Sequence, residues 1–135
     1  MTCTAAITQS TGTATLEEWA KLDLGAPNSR VLRLTRVRHD APYHPPVALE
    51  EVVLALDRFP GLTPDGSDIP DLIELAPRHK LSLGRATERV SIIQATKAIA
   101  LHLGVATGST VLRLERIAET VGGEPVEWRV TFRKI

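Results

Sequence analysis

The 135-residue sequence has a single cysteine, Cys3, and no excess of charge of either sign. One thiol excludes a disulfide framework and any zinc site built on cysteines, and it fits a reducing compartment. Sixteen Lys and Arg offset sixteen Asp and Glu. A grip on nucleic acid phosphates depends on a basic surplus, so none is expected of this chain. No apolar run approaches the roughly 20 residues that a bilayer crossing needs. The first ten residues lack the basic head and apolar middle of a secretory leader. The expectation is a soluble, cytoplasmic chain of one domain spanning 1–135. Glycine-rich phosphate loops and Gly-x-Ser-x-Gly elbows are also missing. The histidines His39, His44, His79 and His102 are scattered, with no pair at metal spacing beside a carboxylate, so neither metal nor cofactor is expected. Cys3 has no evident base next to it and is no candidate nucleophile.

What is present suffices for one core: 43% of the residues are hydrophobic and 24% charged, an ordinary balance for a small globule. Twelve of the sixteen basic residues are arginine. The planar guanidinium fork suits carboxylate and phosphate partners, although the base composition of the coding DNA accounts for the skew as well.

The most informative feature is an internal repeat. LDLG at 22–25 recurs as LHLG at 101–104, VLRLTRV at 31–37 as VLRLERI at 111–117, and PV at 46–47 as PV at 125–126. Three blocks in register indicate two copies of one supersecondary unit, with a period too long for a solenoid. Each copy reads as helix, turn, strand, hairpin, strand. TLEE at 15–18 is a capping-box pattern. Leu16, Trp19 and Ala20 follow at helical spacing, and Gly25 offers a left-handed stop. In the second copy Thr96 opens the helix and Gly104 ends it. Alternation predicts strands over 31–38, 47–56, 85–93 and 126–132, the repeat places another over 111–117, and a further one lies over 4–10. A Pro-rich turn at 41–46 joins the second and third, and Gly122 and Gly123 form a tight hairpin. A Gly/Pro/Asp loop leads to a short helix over 71–76, stopped by Pro77. Six hairpin-connected strands and three short helices imply an α+β fold, an antiparallel sheet with helices packed on it.

Chemistry concentrates on the first copy. Arg36 and Arg38 stand two apart on one strand and leave by the same face, among Leu32 and Leu34. Guanidiniums on an apolar face are costly unless carboxylates or a guest anion meet them. Glu50 lies in a similar row on the partner strand, with Ala48, Val52 and Leu54. The pattern fits a pocket in which the arginines bind an anion and Glu50 accepts ligand hydroxyls. It fits equally an internal Arg–Glu pair or a solvated face. Arg36 has a counterpart in Arg116, whereas Arg38 is matched by Ala118; Arg38 is therefore the better ligand candidate and Arg36 the architectural one. On the last strand Glu127, Arg129, Thr131 and Arg133 share the face opposite Val126, Trp128, Val130 and Phe132, and composition alone assigns that polar face to solvent.

Taken in order, these pieces resemble the UTRA domain, the effector-binding domain of HutC-branch, GntR-type bacterial transcription regulators. The resemblance is carried by VLRLTRVR at 31–38, PVALE at 46–50, LDRFPGL at 56–62, TERV at 87–90, VLRLER at 111–116 and GEPVE at 123–127. It implies a chorismate-lyase-like fold with internal duplication. It also implies a homodimer that binds a small metabolite and relays occupancy to a winged helix-turn-helix, which this chain does not contain. Family ligand contacts fall on positions matching Arg36, Arg38, Glu50, Glu127 and Arg133. Thr131, on the same face, and Asp71, at the start of the middle helix, complete the candidate set. Sugar-phosphate-binding relatives often carry Ser and an aromatic where this chain has Asp71 and Ile73, so a phosphosugar held in the usual way is not expected. The hairpin after Arg38 is also longer than the family's usual form. Two other functions stay open: a stand-alone chorismate-lyase-like enzyme using Arg38 and Glu127, and a ligand-free dimerisation module.

Overall fold

A computed structural model describes residues 3–66 and 68–135. The reading of a leader at Met1 and Thr2, and that of the Cys3 side chain, fall outside the described residues. In chain order the elements are β1 (Cys3–Thr13), α1 (Leu16–Lys21), β2 (Arg30–His39), β3 (Pro46–Ala55), α2 (Leu72–Arg78), β4 (Leu83–Gln94), α3 (Lys97–Leu103), β5 (Thr110–Thr120) and β6 (Pro125–Lys134). A 3-10 turn, Leu56–Arg58, follows β3. The six strands form one antiparallel sheet in the order β1-β2-β3-β6-β5-β4. This is the α+β architecture expected, and the repeated blocks at 31–37 and 111–117 occupy β2 and β5.

Both faces of the sheet are apolar over much of their area, so both are covered. One carries Val31, Val37, Leu49, Val111, Trp128, Val130 and Phe132 and packs against α3 and the chain after α1 through Leu22, Leu24, Ile99 and Leu103. The other carries Leu32, Leu34, Val52, Leu54 and Ala118 and is covered by Phe59 and by Leu72, Leu75 and Ala76 of α2. Neither short helix would persist alone; each is held by what it buries. Arg58 pins the cover over the second face, donating to the carbonyls of Leu22, Asp23 and Pro125 at 2.6–2.8 Å.

Four local expectations are corrected. In α1 the capping box is present, with Thr15 Oγ1 accepting from the Glu18 N–H and Glu18 from the Thr15 N–H. Its buried residue is Glu18, however, while Leu16 is 88% and Trp19 41% exposed. Glu18 is drawn inward by a bidentate pair with Arg33 at 2.6 and 2.7 Å, which outweighs helical apolar spacing. The left-handed residue after α1 is Asp23 (φ 48°) rather than Gly25. Pro77 lies inside α2 instead of ending it. The helix closes one residue later with a 3-10-type bond from the His79 N–H to the Ala76 carbonyl, because a proline in the last turn removes only one of the final bonds. The β5–β6 turn is also longer than two residues: the Thr120 N–H reaches the Glu124 carbonyl, with Gly123 at φ 88°.

Candidate functional site

The register of the sheet assembles the site. Arg36 pairs with Glu50 across β2 and β3, Glu50 with Thr131 across β3 and β6, and Arg38 with Ala48, itself opposite Arg133. Because side chains alternate, these residues all leave by the face that α2 covers. Asp71 approaches from above, as the residue preceding α2.

Arg36, Arg38, Glu50 and Asp71 come together. Glu50 Oε2 accepts from Arg38 Nε at 2.9 Å, and its Oε1 lies 3.4 Å from Arg36 Nη2. Asp71 Oδ1 is 2.7 Å from Arg38 Nη2 and 3.4 Å from Arg36 Nη2. Arg36 also donates from Nη1 to the Ile69 carbonyl at 3.1 Å. Arg36 and Glu50 are almost wholly buried, whereas half of the Asp71 side chain is exposed. Burial lowers the pKa of Arg38, but its bonds to Glu50 and the charges of Glu50 and Asp71 more than restore it, so the guanidinium is held above its ordinary value. The group is close to neutral overall, two cations against two carboxylates. Arg36 Nε and Glu50 Oε1 are nevertheless left without hydrogen-bond partners. A buried unmet donor or acceptor costs about 1–3 kcal/mol, which a guest able to meet both would recover.

Beside Arg36 lies a cleft of about 150 Å³ lined by Gln9, Leu34, Arg36 and the segment Asp68, Ile69, Pro70 and Asp71. Gln9, Asp68 and Ile69 were not legible as site residues. Gln9 enters through its pairing with Leu34, a partner assignment that alternation alone does not supply. Asp68 and Ile69 belong to a loop whose path depends on how α2 docks.

The remaining candidates are spread along the same face. Thr131 is buried opposite Glu50. Glu127 stands further along β6, opposite Leu54 and Ala118, and is 2% exposed. Its Oε1 lacks a hydrogen-bond partner and lies 3.9 Å from Arg129 Nε. Burial pushes the Glu127 carboxyl up; the Arg129, Arg36 and Arg116 guanidiniums oppose that, and the Glu50 charge adds to it. The polar face of β6 is thus largely buried at Glu127 and Thr131, which corrects the assignment of that face to solvent: α2 and the loops around it roof what composition alone leaves open. Arg133 is exposed and borders a separate cleft of about 320 Å³ with Asp40, His44, Pro45, Pro46, Val47 and Lys134. Among the described residues no cluster of three His, Cys, Asp or Glu side chains gathers to hold a metal.

Solved structures of this fold define the class, that of ligand-binding and effector domains of GntR-family transcriptional regulators. The ligand-binding domain of a Bordetella bronchiseptica protein described as a GntR-family regulator superposes with a TM-score of 0.85 at 26% identity, over 98% of this chain and 85% of that one. A GntR-family regulator from Enterococcus faecalis gives 0.84 at 21%, over 97% and 92%. The effector domain of PhnF from Mycobacterium smegmatis gives 0.86 at 20%, over 99% and 81%, while the chain covers 58% of longer PhnF. No curated protein matches it. The family model of the UTRA domain matches residues 4–133, and the chain belongs to that family.

Proposed function

We propose that this domain senses a small anionic or polar metabolite, held by Arg36 and Arg38 with Glu50 accepting from guest hydroxyl or amino groups. The observation that carries this reading is the buried donor Arg36 Nε and the buried acceptor Glu50 Oε1, both unmet, in a charge cluster that opens on a cleft. Thr131, opposite Glu50, and Glu127, further along β6, stand on the same face as further candidate contacts, while Arg133 borders a separate cleft. The domain acts as a homodimer, occupancy favouring one subunit arrangement over another. In support, edge strand β4 exposes Val90 (59%) and Ile92 (68%) on the face that carries Leu112 and Leu114, an apolar strip open to a second copy. DNA is reached only through a winged helix-turn-helix outside this chain, and the setting is the cytoplasm. Regulator domains as structural neighbours favour sensing over catalysis.

The test is a thermal-shift panel of dicarboxylates, hydroxy acids, amino acids and hexosamine 6-phosphates. Strong stabilisation by a carboxylate-bearing metabolite supports the reading. Strong stabilisation by hexosamine 6-phosphates refutes the expectation that no phosphosugar is held in the usual way, and no response to any compound of the panel refutes the site. Sedimentation at micromolar concentration checks the dimer.

A further inference from the structure

We propose that Asp71 is a built-in competitor for the anion seat between Arg36 and Arg38, so that the site selects chelating anions able to exchange with it. This rests on the reading of those arginines as an effector site. Asp71 occupies the N-cap position of α2 with extended backbone (φ −60°, ψ 155°), yet its carboxylate makes no capping hydrogen bond. The threonines in the same position, Thr15 and Thr96, both cap. An aspartate there ordinarily accepts from an N–H of the first turn. Here the carboxylate is turned away, onto Arg38 at 2.7 Å and Arg36 at 3.4 Å. It does to the guanidiniums what a guest anion would do.

Asp71 is also the carboxylate of the cluster that can leave. Its side chain is 49% exposed, against 5% for Glu50, so its departure strands no buried charge. Its departure removes one negative charge from beside Arg36 and Arg38, which an incoming anion restores. The displaced carboxylate has a partner waiting in the N–H of Ile73, in the first turn of its own helix. The exchange replaces one carboxylate on the guanidiniums with another and offers the displaced one a backbone donor. It also reports occupancy, because Asp71 and Ile69 wall the cleft and continue into Leu72, Leu75 and Ala76, which pack on the sheet.

Selectivity follows. A tethered competitor acts at a high effective concentration, so an anion with one carboxylate is held off. A compact dicarboxylate meets both guanidiniums together, and a hydroxycarboxylate can in addition donate its hydroxyl to the acceptor oxygen of Glu50. Asp71 is a specificity-determining residue in this sense.

Calorimetric titration of acetate and malonate into the wild-type protein, Asp71→Asn and Asp71→Ser tests the proposal. Both variants keep a capping oxygen and lack the charge, and a matching thermal melt shows that they fold. The expected result is that acetate affinity rises at least about tenfold in both variants, the scale of one partly exposed charge-assisted hydrogen bond, while the preference for malonate narrows. Equal affinities in wild type and variants would overturn the competitor and leave the anion site standing. Binding of neither anion to any of the three proteins would overturn the anion site, and the competitor with it.

Discussion

Replacing Arg36 with methionine should cost far more stability than its place at the edge of a cleft suggests. The side chain is 5% exposed and faces Glu50, which is 4% exposed. Removing one partner of a buried ion pair costs about 3–5 kcal/mol, because the other charge stays behind in low dielectric. Arg38 remains on Glu50 Oε2 at 2.9 Å, which places the loss near the low end. The Ile69 carbonyl loses its donor as well, worth about 0.5–1.5 kcal/mol. The sum is about 3.5–4.5 kcal/mol. With an unfolding entropy of about 2.1 cal/mol/K per residue over the whole chain, the melting temperature falls by about 12–16 °C. Glu50→Leu alone should also destabilise, since it takes from the buried Arg36 its buried carboxylate and leaves it only the half-exposed Asp71 and the Ile69 carbonyl. In the double variant both charges are gone and the new side chains join Leu34 and Val52, so stability should return to within about 1–2 kcal/mol of wild type. Urea unfolding followed by tryptophan fluorescence measures all four proteins. Additive losses in the double variant, or a single-variant loss below about 1 kcal/mol, would show that water screens this pair and that the buried cluster is misdescribed.

Two further outcomes follow from the same geometry. Burial pushes the Glu18 carboxyl up, but hydrogen bonds from Arg33 and the Thr15 N–H hold it below its ordinary 4.5; burial likewise raises Glu115, and Lys21 and Trp128 outweigh it and lower it. Both contribute stability that is present above pH 4.5 and is lost as pH falls through the depressed native values, whereas Glu127, raised by burial, contributes in the opposite sense, losing stability as pH rises through its native value. Stability measured against pH for Glu18→Gln should lose part of the acid-side fall, and Glu127→Gln should remove a decline on the rising side; unchanged profiles contradict these assignments. Gly84 stands at the β4 bulge between Leu83 and Ala86, where a Cβ would meet the Thr120 carbonyl oxygen at 2.8 Å and Val121 Cα at 2.9 Å. Gly84→Ala should cost about 1–3 kcal/mol, the scale of overpacking against backbone, and a loss under about 0.5 kcal/mol in urea melts would contradict the close approach.

Much of the fold was legible because alternation is local. β2, β3 and β6 follow from residues two apart, and their ends move by a residue or two, while β5 runs three residues past its expected end. Helix α1 shows the limit. Leu16 and Trp19 carry the apolar spacing, yet the inward position goes to Glu18 because Arg33, fifteen residues on, reaches it. No helical pattern encodes that partner. The site was legible in part for the same reason: Arg36, Arg38 and Glu50 share a face by parity, and register alone joins them. Asp71 was singled out by resemblance, but its contact with Arg38 arises from the docking of α2. The burial of Glu127 and the absence of Arg133 from the central cluster likewise depend on which part of the face α2 and its loops roof.

The claim that Arg36 and Arg38 seat an anionic guest is tested most directly by calorimetric titration of the panel's most stabilising anion into wild type and Arg38→Gln. Glutamine keeps a donor for Glu50 and removes the charge, so binding should weaken at least about tenfold, the worth of one charge-assisted hydrogen bond. An unchanged dissociation constant would place the guest elsewhere and contradict the account.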